Sequence, residues 1–267
     1  MNLLAIIWDV SPVLIEFNGI LIRWYSIFFA LPFLCGYFIV KLYTKKANIS
    51  EKAYDFWLLY MIIGAIVGAR IGHVLFYELD YYLQHPAEIF MTWKGGMSSH
   101  GGAIGLLVAL WVLSKQFKIS FIFILDKISA AIALGGGFLR LGNLMNSEIY
   151  GYPTDLPWGF IYQRSDLDLV PRHPTQLYEA LSYFMLFAII HFLDRKNDYK
   201  SPKGQLFAIL LMGVFGSRFL IEFVKESQVY FENSMVLNMG QWLSIPFIIL
   251  GATFFIISNY TQSKKLK

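Results

Sequence analysis

The sequence predicts an all-α, polytopic integral membrane protein of about seven transmembrane helices, N-terminus outside and C-terminus inside, with a small outer cap. Three observations carry this prediction. Hydrophobic residues make up 57% of the 267 positions and charged residues only 15%, where a soluble domain carries roughly 25% charge. The apolar residues gather in stretches close to the ~20 residues that cross a hydrocarbon core as a helix. The basic residues are shared very unevenly among the connections, which is how membrane proteins set their orientation. Mean hydropathy is +0.53. Aromatics reach 18%, with 7 Trp and 16 Tyr, residues suited to the two membrane–water interfaces.

The apolar stretches run approximately 19–40, 55–77, 97–114, 121–139, 177–193, 205–224 and 240–259. Met1 to Phe17 lacks a basic n-region and contains Asp9, Pro12 and Glu16, so it reads as a short amphipathic segment on the outer face rather than a cleavable signal. With the N-terminus outside, the inner connections hold Lys41, Lys45, Lys46, Lys52, Lys115, Lys118, Arg195, Lys196, Lys200, Lys203, Lys264, Lys265 and Lys267, which is 13 of the 22 basic residues. The outer connections hold only Lys94, Arg164, Arg172 and Lys225. The chain reads as one membrane-embedded domain over 1–267, its outer cap at about 140–176. A single cysteine, Cys35, excludes an internal disulfide and a cysteine-rich metal site. No metal-ligand spacing is present, and neither a cofactor nor a nucleic-acid partner is expected.

Five basic residues remain, in or at the ends of spans: Arg23, Arg70, Lys127, Arg140 and Arg218. A charge at the bilayer centre costs at least ~2.5–3.5 kcal/mol, so several of them imply a paired or hydrated interior site. Arg23 opens a span and Lys127 lies near the end of one, where snorkelling to the interface is the simplest reading. Arg218 and Glu222 are four apart and share a helix face. Gly64, Gly68 and Gly72 recur at helical spacing, as in close helix–helix packing.

Polar residues concentrate at three span ends. Trp93 to Gly102 carries two glycine pairs around Met97-Ser98-Ser99-His100. Glycine permits irregular backbone, and histidine is the side chain that exchanges protons near neutral pH. Gly135 to Gly151 offers Arg140, Asn143, Asn146 and Glu148 within nine residues. Its guanidinium matches phosphate by forked hydrogen bonding, and Glu148 is placed to hold it. Pro171 to Glu179 opens the fifth span, with Thr175 as a plausible N-cap.

Taken together these stretches resemble the bacterial prolipoprotein diacylglyceryl transferases. The family signature is close to G-R-x-G-N-x-x-N-x-E-x-x-G. Arg140 to Gly151 is similar to it throughout, except that Leu139 stands where the family usually has glycine. Gly95 to Gly102 looks like the family's G-G-M-S-x-H-G-G element. Arg23-Trp24-Tyr25, Gly68-Ala69-Arg70, Arg172 to Glu179, Arg218 to Glu222 and Met239-Gly240-Gln241 with Leu243-Ser244 are similar as well. Ser26 replaces a common glycine, and Lys225 stands where arginine is frequent. The resemblance covers roughly residues 20–246.

The resemblance implies an enzyme of the bacterial cytoplasmic (inner) membrane, its active site toward the outer side. It would move the diacylglyceryl group of phosphatidylglycerol onto the lipobox cysteine thiol of a preprolipoprotein signal peptide, giving a thioether and glycerol phosphate. In that reading His100 is the candidate general base, and Arg140 and Arg218 bind the phosphate and stabilise its departure. Tyr25, Arg70, Asn143, Asn146, Glu148, Gly151 and Glu222 line the substrate site. An alternative proton path bypasses His100, which would then be structural. Two other classes place charges in spans. A transporter would show a repeat relating two halves, which is missing. A rhomboid-type protease would need a Ser–His dyad, for which Ser98 and Ser99 beside His100 are the only candidates, without a G-x-S-G context.

Overall fold

The computed structural model describes residues 5–47, 49–227 and 235–265; Lys267, counted above among the inner basic residues, lies outside them. In chain order the elements are strands β1 (Ile6–Trp8), β2 (Val13–Phe17) and β3 (Ile20–Arg23), then helices α1 (Trp24–Lys46), α2 (Glu51–Phe76) and the short α3 (Leu79–Gln84). Two 3-10 turns (Pro86–Phe90 and Thr92–Lys94) lead to α4 (Ser99–Phe117) and α5 (Phe121–Met145). Strand β4 (Phe160–Tyr162) precedes α6 (Thr175–Lys196), α7 (Gln205–Ile221) and α8 (Met239–Lys265). Each apolar stretch contains a helix over most of its length. Helices α1, α2, α5, α6 and α8 are long and apolar enough to cross a membrane, and α7 is apolar but shorter. The protein is a polytopic helical membrane protein.

The N-terminal segment differs from expectation. It forms strands, and α1 begins at Trp24 rather than near residue 19. The reason is local: β-branched Val13, Ile15, Ile20 and Ile22 flank Asn18-Gly19, whose positive φ values of 48° and 79° make the Asn-Gly hairpin turn that right-twisted strands prefer. Arg23 ends β3 and is exposed.

The chain divides into two compact units, Met1–Val40 with Asp126–Lys267, and Lys41–Leu125. In the larger unit β1 pairs in parallel with β4, Ile6 opposite Phe160 and Trp8 opposite Tyr162. The Trp8 indole stacks on Phe160 and donates to the Leu144 carbonyl at 3.1 Å, which ties the end of α5 to the cap. Helices α6, α7 and α8 pack where small residues let them approach. A Cβ on Gly213 would lie 2.6 Å from Leu186, and one on Gly251 2.9 Å from Met212; glycine there permits the close contact on which helix association in lipid relies.

Lys127 does not snorkel. It is buried, its ammonium donates to both oxygens of Asp194 at 2.8 and 2.9 Å, and it reaches the Tyr199 carbonyl as well. Neighbouring Asp126 accepts from the amides of Gly204 and Phe207 at 2.6 and 2.9 Å. A carboxylate from α5 thereby satisfies donors that the first turn of α7 leaves open. Both pairs resolve the cost of a buried charge by supplying its complement.

In the smaller unit α2 and α4 lie backbone against backbone. A Cβ at Gly68 would come within 2.6 Å of the Gly105 Cα, and one at Gly72 within 2.6 Å of the Gly101 Cα. Gly101 and Gly102 are thus helical packing residues, and only Gly95 and Gly96 use glycine's freedom, at φ 91° and 73°. The outward surface of α2, with Ile63, Ile66, Val67, Ile71 and Leu75 exposed, suits a hydrocarbon surround.

The orientation expected from the basic residues has a direct test. Asp166 is a poor reporter because it is buried in an ion pair with Arg172, whereas Leu167 beside it is 99% exposed. In a Cys35→Ser background, Leu167→Cys in intact cells should react with a membrane-impermeant thiol reagent and Asn197→Cys should not. The opposite pattern would reverse the orientation.

Candidate active site

The site begins at the end of α5. The helix continues through Arg140 and Asn143 and stops at Met145, so the signature straddles a helix terminus. Ser147 and Ile149 then adopt left-handed φ values of 53° and 62°, uncommon for non-glycine residues and more so for a β-branched one. These two turns bracket Glu148 and bring it back toward the helix. Its Oε1 accepts from the side-chain amides of Asn143 at 2.8 Å and Asn146 at 3.2 Å. The Gln176 amide donates to the Glu148 carbonyl at 2.7 Å, and the Thr175 hydroxyl to the Ile149 carbonyl at 2.9 Å. Thr175 is therefore the first residue of α6, and the capping position falls to Pro174.

Arg140 donates to the Asn143 Oδ1 at 3.1 Å, but its carboxylate partner is not Glu148. It is Glu179, one turn inside α6, with Nε 2.6 Å from Oε2. Glu148 is already committed to the two asparagines, so it holds Arg140 only through Asn143. Glu179 is fully buried and touches a second cation: Lys225 lies 3.4 Å from its Oε1. Lys225 in turn is 3.1 Å from Glu222, which sits 3.3 Å from the Nε of Arg218. The four-residue spacing of Arg218 and Glu222 does form a pair. The Asn238 amide donates to the other Glu222 oxygen at 3.0 Å, and Gly240 leaves room for that carboxylate, with which a Cβ would collide.

The result is an alternating row, Arg140–Glu179–Lys225–Glu222–Arg218. Its inner members are nearly sealed, with side-chain exposures of 1% for Glu179, 4% for Lys225 and 8% for Glu222, while the terminal arginines reach 18% and 35%. The Nε of Arg218 and the Oε2 of Glu179 are buried yet make no aligned hydrogen bond among the described residues; both arginine contacts are ion pairs by distance rather than well-directed bonds. The Asn146 Oδ1 is likewise buried without a partner among them. Buried polar atoms in this condition are rare, and those on Asn146, Ser147, Glu179 and Arg218 belong to the signature and the row.

Gly151 is held by packing. Its amide donates to the His173 carbonyl at 2.9 Å, it bridges to Lys225 in antiparallel fashion, and a Cβ would strike the Val224 carbonyl. The ring of Tyr25, in the first turn of α1, lies against Gly142, where a Cβ would be 3.0 Å from it. Arg172 braces the cap: it pairs with Asp166 at 2.6 Å and with Glu226 at 3.3 Å, and lies over the Tyr150 ring. Burial works to raise the Asp166 carboxyl, but the hydrogen bonds from Arg172 outweigh it and hold the group below the usual range.

His100 and Arg70 belong to the smaller unit. His100 lies in the first turn of α4 with its side chain exposed. Ser98, one half of the protease alternative, is buried and caps α4 by accepting from the Gly101 amide at 3.2 Å. Arg70 is buried, and its guanidinium donates to the carbonyls of Ile89 at 2.8 Å, Gly95 at 2.6 Å and Gly96 at 3.1 Å, and also to Glu88. Expected at the substrate, it is engaged in holding the 86–96 loop.

Glu179 and Lys225 were given no site role from the sequence. Glu179 had a signal, a carboxylate one turn inside an apolar span, which is expensive there without a partner. Lys225 had one too, since it stands where arginine is frequent in the family, but it was counted with the outer connections.

The family described as prolipoprotein diacylglyceryl transferase matches residues 12–257. A phosphatidylglycerol--prolipoprotein diacylglyceryl transferase of Chloroherpeton thalassium is 45% identical over 247 residues, covering 92% of this chain and 91% of the relative. Its namesake from Bacteroides fragilis is 41% identical over 277 residues and 99% of each chain. Another from Tolumonas auensis is 41% identical over 259 residues, 96% of this chain and 99% of the other. With its signature assembled at the end of α5 and relatives matched over almost their full length, the chain belongs to the prolipoprotein diacylglyceryl transferase family.

Proposed function

We propose that this enzyme transfers the diacylglyceryl group of phosphatidylglycerol to the lipobox cysteine thiol of a preprolipoprotein, at the outer side of a bacterial inner membrane, as one membrane-embedded domain. The relatives' names supply the two substrates, and the row ending in Arg140 and Arg218 is the observation that favours phosphate chemistry. The thiol gives up its proton, its sulfur attacks the glycerol carbon next to the phosphodiester, and the carbon–oxygen bond breaks. Glycerol phosphate leaves with the bonding pair and gains negative charge as it does so. Arginines already oriented in a poorly hydrated site stabilise that charge without reorganising.

Roles follow from the placements. Arg140 and Arg218 meet the phosphate as the two partly open ends of the row, each held at its Nε by a glutamate. The free Oδ1 of Asn146 suits a hydroxyl of the glycerol head, while Asn143 and Glu148 keep Arg140 and Asn146 in place. Tyr25 lines the phosphate side, Gly151 and Glu222 shape its floor, and Arg70 steadies the loop leading to α4. His100 is the base for the thiol, an assignment that rests on the sequence element around it.

Purified enzyme given labelled lipid and a lipobox peptide should move lipid to the peptide from phosphatidylglycerol, and poorly from phosphatidylethanolamine. The ammonium of the latter would be brought against the arginines in a weakly screened site. Equal use of both lipids would remove the electrostatic account of donor choice. Arg140→Lys should lose about 10²-fold in kcat, since lysine keeps the charge but not the planar fork; near-normal turnover would take the phosphate from Arg140. His100→Asn should be slow at neutral pH and recover part of its loss above the ordinary thiol pKa of about 8.5, where thiolate forms unaided. Parent-like rates at pH 7 would place the base elsewhere.

A further inference from the structure

Resting on that reading, we propose that Lys225 is a positioning residue for the donor lipid: as the central cation of the row it leaves the five residues with one net positive charge, presented through Arg140 and Arg218 to a singly charged phosphodiester.

The row alternates in sign and both ends are cationic. Lys225 lies within 3.4 Å of Glu179 and 3.1 Å of Glu222, and each of these glutamates holds one arginine. Without Lys225 each glutamate would retain only its own arginine. Two arginines against two glutamates sum to zero, and an arriving phosphodiester would have to displace a carboxylate. With Lys225 present, each carboxylate has a second cation behind it, and the arginines keep capacity for an outside anion. The loose alignment of both arginine contacts agrees with this division. Lys225 is buried and does not meet the lipid from the sealed interior of the row.

Its position is set by the backbone around it. Residues 150–152 run against 224–226, with the Tyr152 amide donating to the Val224 carbonyl at 2.9 Å, the Glu226 amide to Tyr150 at 3.3 Å, and Gly151 bridged to Lys225. Since a Cβ on Gly151 would strike Val224, the signature's last glycine acts on the phosphate site through Lys225.

The test is steady-state kinetics of the full-length enzyme in detergent, with the lipid and the peptide varied separately and thermal unfolding followed in parallel. Lys225→Met should raise the KM for phosphatidylglycerol at least about tenfold, the scale of one charge-assisted interaction, without a matching rise for the peptide. Lys225→Arg, which restores the cation, should recover most of that loss. The double variant Lys225→Met/Glu179→Gln again sums to one positive charge and should bring the lipid KM back toward the parent even where kcat stays low; it also buries one carboxylate fewer if the single variant folds poorly. A residue of merely structural importance would lower the unfolding temperature and affect both substrates alike. Equal losses for the two substrates, or a double variant with a lipid KM no better than the single, would overturn the proposal. Absence of lipid transfer by the parent enzyme would instead overturn the function on which it rests.

Discussion

Every ionised side chain placed at membrane depth in this protein needs a partner, because hydrocarbon provides neither water nor screening. The larger unit meets this constraint twice. At one end of α5, Lys127 and Asp126 meet Asp194 and the first amides of α7. At the other, Arg140 meets Glu179. Helices α5, α6 and α7 are in this way pinned near both ends by charge pairs, with small residues letting them close between. Pairs of this kind add little net stability against apolar replacements, but losing one partner is severe, so they specify which helices meet and in what register.

The two arrangements differ in completeness. Lys127 has three well-directed acceptors and Asp126 two directed donors, so nothing is left over for a ligand. The row from Arg140 to Arg218 is different: its two arginine contacts are close but imperfectly aligned, its terminal arginines are partly open, and the Asn146 Oδ1 makes no hydrogen bond among the described residues. Structural charge clusters satisfy themselves, whereas a site for an anion must hold its cations in place and keep some of their donors free. Glutamates that grip each arginine by one edge achieve both, since a guanidinium has five N–H donors in a fixed fork.

Arg70 gives the counter-example within the smaller unit. Both it and Arg218 are arginines inside apolar stretches, and sequence alone would treat them alike. Its donors end on the carbonyls of a loop whose glycines at 95 and 96 take up left-handed backbone. The loop's own 3-10 hydrogen bonds shape its turns, and one buried guanidinium ties several of its carbonyls together.

The membrane class, the helix in each apolar stretch and the α5 signature were legible in the sequence, because each depends on local quantities: apolar length, the cost of exposing backbone in lipid, and residue types within one or two turns. The hairpin before α1 was locally written too, in Asn18-Gly19 and its β-branched flanks, but an apolar strand and an apolar helix start look alike by hydropathy. What the sequence did not disclose is who pairs with whom. Arg140 has a carboxylate eight residues away in Glu148, yet two left-handed residues turn Glu148 onto the asparagines, and Glu179, 39 positions along the chain, takes its place. Lys225 stands where arginine is frequent in the family, but its two glutamate partners appear only once residues 150–152 dock against 224–226. Charge pairing acts over a few ångströms of space regardless of separation along the chain, so only the packing of α5, α6 and α7 could decide it.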